Sequence, residues 1–338
     1  LAMAGTVHAQ TADQKLRSYE TWGSVMGDFN GVSGKDVTYF GANGQPVAEV
    51  NYDAYQDGTF EPSGYTYYGY DDNGRVVKEW SQEYKIGTGN VMEWKDKDSI
   101  VYQYNDAGYL VSERNYQLGD STAYEYDADG NKVAMVKYLP DYQGGYTELS
   151  RETYRNFAAP NCPQTIVGTG AYASYMNSYK VYYDEDNNIV KKEKYDEGGT
   201  LRQVEHWTYE LGILAKYEIN TVKSATGDDG EVTYTENPSK KTIYTVVGTN
   251  PLRIKDEQMT YTYGEWAGYT YHHVTEYCKP DATTAPKLVV EPVADELNTV
   301  MLTFDATDVA GASSVAYDVY RHGIKVARVP ASEAVDGM

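Results

Sequence analysis

The chain is short of the residues that usually fill a protein core. Its 338 residues include only 5 Phe, 9 Ile and 13 Leu. Even with Val these make up less than a fifth of the chain, and beside a net charge of −21 that composition alone would describe a disordered protein. Basic charge is scarce as well, with 29 Lys and Arg against 50 Asp and Glu. That balance, without any basic stripe, excludes a nucleic-acid partner. The densest basic run, Lys191-Lys192-Glu193-Lys194, reads as a solvated strand face. Long apolar runs are missing, so nothing in the sequence has the length of a membrane-spanning helix.

Histidine and cysteine are few, and this narrows the chemistry. Cys162 and Cys278 stand alone, without the close ligand pairs of a zinc site. The two either bridge, closing a loop of about 116 residues worth ~4–5 kcal/mol, or remain separate thiols. His272-His273 lie in a strand-like run, where adjacent side chains point to opposite faces and cannot readily share one ion. No metalloprotease, nucleophile-elbow or Walker spacing occurs, and Gly31-Val32-Ser33-Gly34-Lys35 lacks the first-glycine spacing of a phosphate loop. The acidic turn Asp127-x-Asp129-x-Asn131 imitates the start of a calcium loop. Its sixth position is Lys132 and its twelfth Tyr138, where an EF-hand has Gly and Glu. The sequence therefore implies neither a cofactor nor a metal nor a catalytic set.

What the chain has instead is tyrosine. There are 36 Tyr and 5 Trp, and Val outnumbers Leu by 32 to 13. A Tyr ring can fill a core while its hydroxyl reaches a partner at the edge. Val, Tyr and Thr all favour pleated, half-buried surfaces. The expectation is an all-β protein packed through aromatic side chains.

A short cassette recurs along the chain. Tyr68-Gly69-Tyr70-Asp71-Asp72-Asn73-Gly74-Arg75-Val76 is echoed by Tyr102-Gln103-Tyr104-Asn105-Asp106-Ala107-Gly108-Tyr109-Leu110 and by Tyr124-Glu125-Tyr126-Asp127-Ala128-Asp129-Gly130-Asn131-Lys132. Weaker copies run Tyr183-Asp184-Glu185-Asp186-Asn187-Asn188-Ile189 and Tyr195-Asp196-Glu197-Gly198-Gly199-Thr200-Leu201, with an early relative at Phe40-Gly41-Ala42-Asn43-Gly44. Tyr at i and i+2 faces one side of a strand. The Asp or Asn that follows (Asp71, Asn105, Asp127, Asp184, Asp196) can cap backbone amides two residues on. Gly74, Gly108, Gly130 and Gly199, with Asn187 in the fourth copy, supply the left-handed residue of a type I turn with a G1 bulge. Each copy thus encodes one β-hairpin. The anchors Phe40, Tyr70, Tyr104, Tyr126, Tyr183 and Tyr195 are too unevenly spaced for a strict solenoid. They suit an irregular antiparallel meander forming an extended, curling sheet, continued from Val204 to Tyr277 by strands without the turn signature.

The run Tyr70-Asp71-Asp72-Asn73-Gly74-Arg75-Val76 resembles the YD repeat of the bacterial Rhs and wall-associated protein families, most clearly over residues 68–133 and in decayed form over 39–201. The resemblance implies a curling β-sheet on a secreted or surface-displayed protein. It carries little of the toxin-wrapping role of some members, because the copies are few and the Asp-Pro-rich core segment is missing. Residues 287–338 resemble the front half of a fibronectin type III domain, with Ala316-Tyr317-Asp318-Val319-Tyr320-Arg321 leading into a hairpin at His322-Gly323. The expected organisation is a signal-peptide remnant at 1–9, ending Val7-His8-Ala9, a YD-like domain at 10–278, a linker at 279–286 and a truncated β-sandwich at 287–338.

The expected function is that of a non-catalytic, secreted or cell-surface scaffold or adhesion protein. Its Tyr-rich surface would bind a glycan or a protein, and Trp80, Trp94, Trp207 and Trp266 are the candidate contacts. The alternative is an enzyme acting on extracellular polysaccharide, or its accessory module, which requires a Trp-lined cleft and a close Asp/Glu pair.

Overall fold

The computed structural model describes residues 15–278 except for the connections 23–30, 41–43, 55–58, 87–91, 142–143, 173–174, 250 and 270, together with the backbone of four strands between 288 and 330. The described elements are strands. The first are β1 (Lys15–Trp22), β2 (Val32–Phe40), β3 (Pro46–Ala54), β4 (Phe60–Tyr70), β5 (Val76–Ile86) and β6 (Met92–Tyr104). Next come β7 (Leu110–Asn115), β8 (Ser121–Tyr126), β9 (Lys132–Pro140), β10 (Tyr146–Phe157), β11 (Pro163–Gly170), β12 (Ser178–Tyr183) and β13 (Ile189–Tyr195). The sheet ends with β14 (Leu201–Glu210), β15 (Ile213–Thr226), β16 (Val232–Thr249), β17 (Leu252–Thr262), β18 (Glu265–Gly268) and β19 (His272–Cys278).

Each strand from β1 to β17 pairs antiparallel with the next. β19 then pairs with β17 on one side and with β1 on the other, so 18 strands close into a barrel. β18 turns back along the far half of β17. The extended curling sheet expected from the repeat is therefore corrected to a closed wall. The seam sets Tyr19 opposite Thr275 and Thr21 opposite His273. Beside it, Arg253 reaches Glu20 at 3.1 Å across 233 residues of sequence. A twisted sheet of this width has two exposed edges, and closure satisfies both.

The barrel also explains the uneven repeat. Phe40, Tyr70, Tyr104, Tyr126 and Tyr183 end β2, β4, β6, β8 and β12, which puts all their turns at one end of the wall. The long interval after Tyr126 contains another hairpin at that end, β10–β11, whose turn is closed by Ala158 and Cys162 without the Asp-Gly signature. Tyr195 ends an odd-numbered strand, β13, so its turn lies at the opposite end and its spacing is short.

A one-layer wall leaves a thin core. Val136 and Val204 are the largest side chains fully enclosed among the described residues. A hydrophobic cluster of Leu252, Ile254 and Tyr277 packs with Ile213 and Tyr244.

Beyond the barrel, β20 (Leu288–Pro292) pairs with β21 (Val300–Phe304), and β22 (Ala316–Arg321) with β23 (Ile324–Pro330). These are two separate two-stranded sheets. The expected truncated β-sandwich is corrected accordingly: the four described strands make two hairpins with no ladder between them. The signal-peptide remnant, the linker and His322-Gly323 lie outside the described residues.

Candidate functional site

Alternation along each strand sorts the side chains onto two faces, and the cross-strand register carries each set round the wall. One face bears Tyr19, Asp36, Glu49, Tyr68, Glu79, Tyr102, Glu113 and Tyr124 across β1 to β8. It continues through Glu152, Tyr154, Tyr179, Glu205, Tyr217, Tyr244 and Asp256 back to His273. This is the interior face. Tyr19 on β1 lines the same cavity as Asn188 in the β12–β13 turn and Trp207 on β14, and only the concave side brings those strands together.

Tyrosine and carboxylate alternate on this face because they complement one another. The Tyr124 hydroxyl donates to Glu113 at 2.8 Å, Tyr154 to Glu152 at 2.8 Å and Tyr217 to Glu205 at 2.7 Å. Tyr102 donates to Glu79. Burial, followed by the neighbouring carboxylate, holds these phenols well above their ordinary pKa, so they remain donors. Tyr244 is pushed up to about 12 by burial and then by Asp256. The acids respond in the opposite sense. Burial raises the Glu49 carboxyl, helped by Asp36 and Glu79, and raises that of Glu79, where Tyr102 opposes and Glu113 assists.

The outer face carries charge of both signs in ion pairs: Arg151–Glu125 at 2.9 Å, Lys191–Glu193 at 2.7 Å, Lys216–Glu218 at 2.8 Å and Lys255–Glu257 at 2.8 Å. A lipid-facing barrel wall carries an apolar band instead. No helix among the described residues is long and apolar enough to cross a membrane.

The candidate aromatics divide between the faces. Trp80 stacks on Tyr67 at 5.5 Å on the outside. Trp94 lies between Tyr65 and Tyr84, also outside. Trp266 on β18 sits edge-on to Tyr261 with the Lys241 ammonium 4.3 Å from its centroid. Only Trp207 faces inward, against Tyr217 at 5.0 Å. It belongs to a cavity of about 910 Å³, which is walled by β14 to β17 and by Tyr19 and edged by Asn161, Asp186, Asn187 and Asn188. That volume falls in the range of small-molecule sites, about 300–1,000 Å³. Rings, amides, hydroxyls and the carboxylates of Glu205 and Asp256 dominate the lining.

The turn residues form the rim. Asp71 accepts from the Asn73 and Arg75 amides, Asp127 from Asp129 and Asn131, and Asp184 from Asp186 and Asn188. Asn105 accepts from Tyr109, and Asp196 from Thr200 at the other end. Gly74, Gly108, Gly130, Gly199 and Asn187 all have positive φ. These carboxylates are engaged by backbone amides, and no group of three metal-ligating side chains occurs among the described residues. The two sulfurs are not bonded: Cys162 lies in the β10–β11 turn and Cys278 ends β19, strands that are not neighbours in the wall. Of the two alternatives that the sequence left open, the structure has the pair of free thiols. His272 stacks on Trp22 while His273 stacks on Tyr19 and bonds Asp256 at 3.0 Å.

Sequence reasoning missed Asn161, Asn188, Glu205, Tyr217, Tyr244 and Asp256. The only signal was their alternation with polar neighbours, which marks a face without saying that it turns inward.

No protein-family model matches the chain. No curated protein matches it in sequence. Among solved structures, a complex described as TcdB2-TccC3-Cdc42 is similar with a TM-score of 0.27 and 12% identity, over 89% of this chain and 17% of that one. A porin-like protein from Bacteroides uniformis gives a TM-score of 0.30 and 9% identity, over 78% and 97% of the two chains. A protein of unknown function from Bacteroides fragilis gives 0.19 and 11%, over 54% and 88%. The chain thus spans about a sixth of the first of these chains. At TM-scores of 0.19 to 0.30 these likenesses carry no argument about fold or function.

Proposed function

We propose that this protein is a non-catalytic glycan-binding barrel of a secreted or surface-exposed protein, taking a short oligosaccharide into its interior. The observation that carries the reading is the inward cavity, which sets Trp207 and several tyrosines beside amide and carboxylate side chains. Aromatic rings stack on the apolar faces of sugars, and convergent amides and hydroxyls bond their hydroxyl groups. Export is part of the same proposal, motivated by the small-x-small run Val7-His8-Ala9.

Within this cavity, a non-catalytic role is favoured over hydrolysis by the distance between Glu205 and Asp256. Glu205 on β14 and Asp256 on β17 are three strand steps apart, with a further offset of four residues in register, about 19 Å along the wall. A glycosidase pair stands about 5–10 Å apart.

A glycan array followed by titration calorimetry tests the reading. Trp207→Ala should weaken oligosaccharide binding by about tenfold or more, since stacked rings dominate such sites. Trp80→Ala, on the outer face, should leave binding unchanged. Binding lost in Trp80→Ala but kept in Trp207→Ala would move the site to the outside of the wall.

A further inference from the structure

Resting on that reading, we propose that the cavity selects glycans carrying a protonated amine, such as glucosamine oligomers, over neutral and uronic ones. The feature responsible is a carboxylate left without a cation beside an aromatic pair. Glu205 accepts hydrogen bonds from the Tyr217 hydroxyl at 2.7 Å and the Gln203 amide at 2.8 Å, and makes no ion pair among the described residues. Its cross-strand partner is Lys192, a register that ordinarily joins opposite charges. The Lys192 ammonium instead lies over the Tyr179 ring, 4.2 Å from its centroid.

Trp207 follows Glu205 by two residues on the same strand and faces the same cavity. A sugar ring laid on Trp207 can therefore direct an equatorial ammonium toward Glu205, where charge attraction and the ring quadrupole act together. Asp256, hydrogen-bonded to His273, adds a second carboxylate to the lining. Of the two lysines that line the cavity, Lys241 is spent on Trp266 outside, which leaves Lys240. With Asp186 at the rim as a third carboxylate, a uronic acid would bring a fourth negative charge into this setting and would be repelled.

The experiment is calorimetry at low salt and about pH 6, where a sugar amine is charged, with a glucosamine tetramer, its N-acetylated counterpart and tetragalacturonate. The amine form should bind about tenfold tighter than the acetylated form, and the gap should close in Glu205→Gln and at high salt. Tetragalacturonate should bind weakest. If the acetylated tetramer binds as tightly as the amine form, the selectivity is overturned and glycan binding stands. If none of the three binds, both fall. The comparison on the unmodified protein decides even where Glu205→Gln fails to fold.

Discussion

A carboxyl group on this barrel does one of two opposite things according to where its strand places it. Asp71, Asp127 and Asp196 sit in exposed turns whose backbone amides, with an Arg75, Asn131 or Arg202 side chain, hold their carboxyls below the ordinary range. Their stabilisation is present above the unfolded carboxyl pKa of about 4 and is lost as pH falls through the lower folded values. Glu49 and Glu79 are held above it, chiefly by burial. For them the folded state binds the proton more tightly, so stability declines as pH rises from the unfolded value through the folded one. The expected profile has its maximum on the acid side of neutrality, with a fall below about pH 4 as the turns protonate. Relief of the −21 charge on acidification acts in the same direction as Glu79, so the residue must be separated from the field. Urea midpoints measured across pH should show a flatter rise between neutral and mildly acid pH in Glu79→Gln than in the unmodified chain. An unchanged slope would assign the rise to net charge alone.

Between elements, the anchor tyrosine of one hairpin is tied to the hairpin before it. Tyr70 donates to the Pro46 carbonyl at 2.6 Å, Tyr104 to Val76 at 2.8 Å, Tyr126 to Leu110 at 2.9 Å and Tyr183 to Pro163 at 3.0 Å. Tyr209 continues the series toward Ile189 at 3.3 Å, although no Asp-Gly turn follows it. Each bond joins the end of an even-numbered strand to the first residue of the returning strand before it. The second Tyr of the cassette thus does more than fill space, because its hydroxyl sets how successive hairpins dock. Tyr126→Phe keeps the ring stacked on Tyr109, removes only this bond, and should cost about 1 kcal/mol in chemical denaturation. The turn between Tyr126 and Lys132 gives a steeper test. Gly130 has φ of 81°, and a Cβ there would run into the Tyr109 hydroxyl, whereas at Gly199 (φ 75°) it would meet nothing within 4 Å. Gly130→Ala should therefore destabilise by more than the roughly 1–2 kcal/mol of left-handed backbone strain that Gly199→Ala carries. Equal costs would show that Tyr109 moves aside freely.

At the scale of the whole molecule, the barrel depends on a seam that joins its two ends in sequence. β1 fills the gap between β2 and β19, and deleting Lys15–Trp22 would expose a long strand edge on each. Such edges recruit other chains. The truncated protein should form higher oligomers in light scattering, while the intact barrel keeps a concentration-independent size. A monomeric truncation would show that the wall can reclose through β2 and β19.

The residues by themselves determined the strands, the positions of the Asp-Gly and Asn-Gly turns, the antiparallel order and the sharing of each strand between two faces. All of these follow from interactions within about ten residues: alternation at a period of two, side-chain capping and the left-handed freedom of glycine. The hairpin at Ala158–Cys162 escaped notice because its turn uses Asn161 at a φ of 58° without the Asp-Gly pair. What only the tertiary structure decided was closure, and with it which face became the interior. Closure is set by pairs such as Tyr19 with Thr275, which lie at opposite ends of the barrel sequence, and by a twist summed over many strands. A local pattern records that Glu205 and Trp207 share a face with Tyr217. Only the bending of the sheet into a ring turns that face into a cavity.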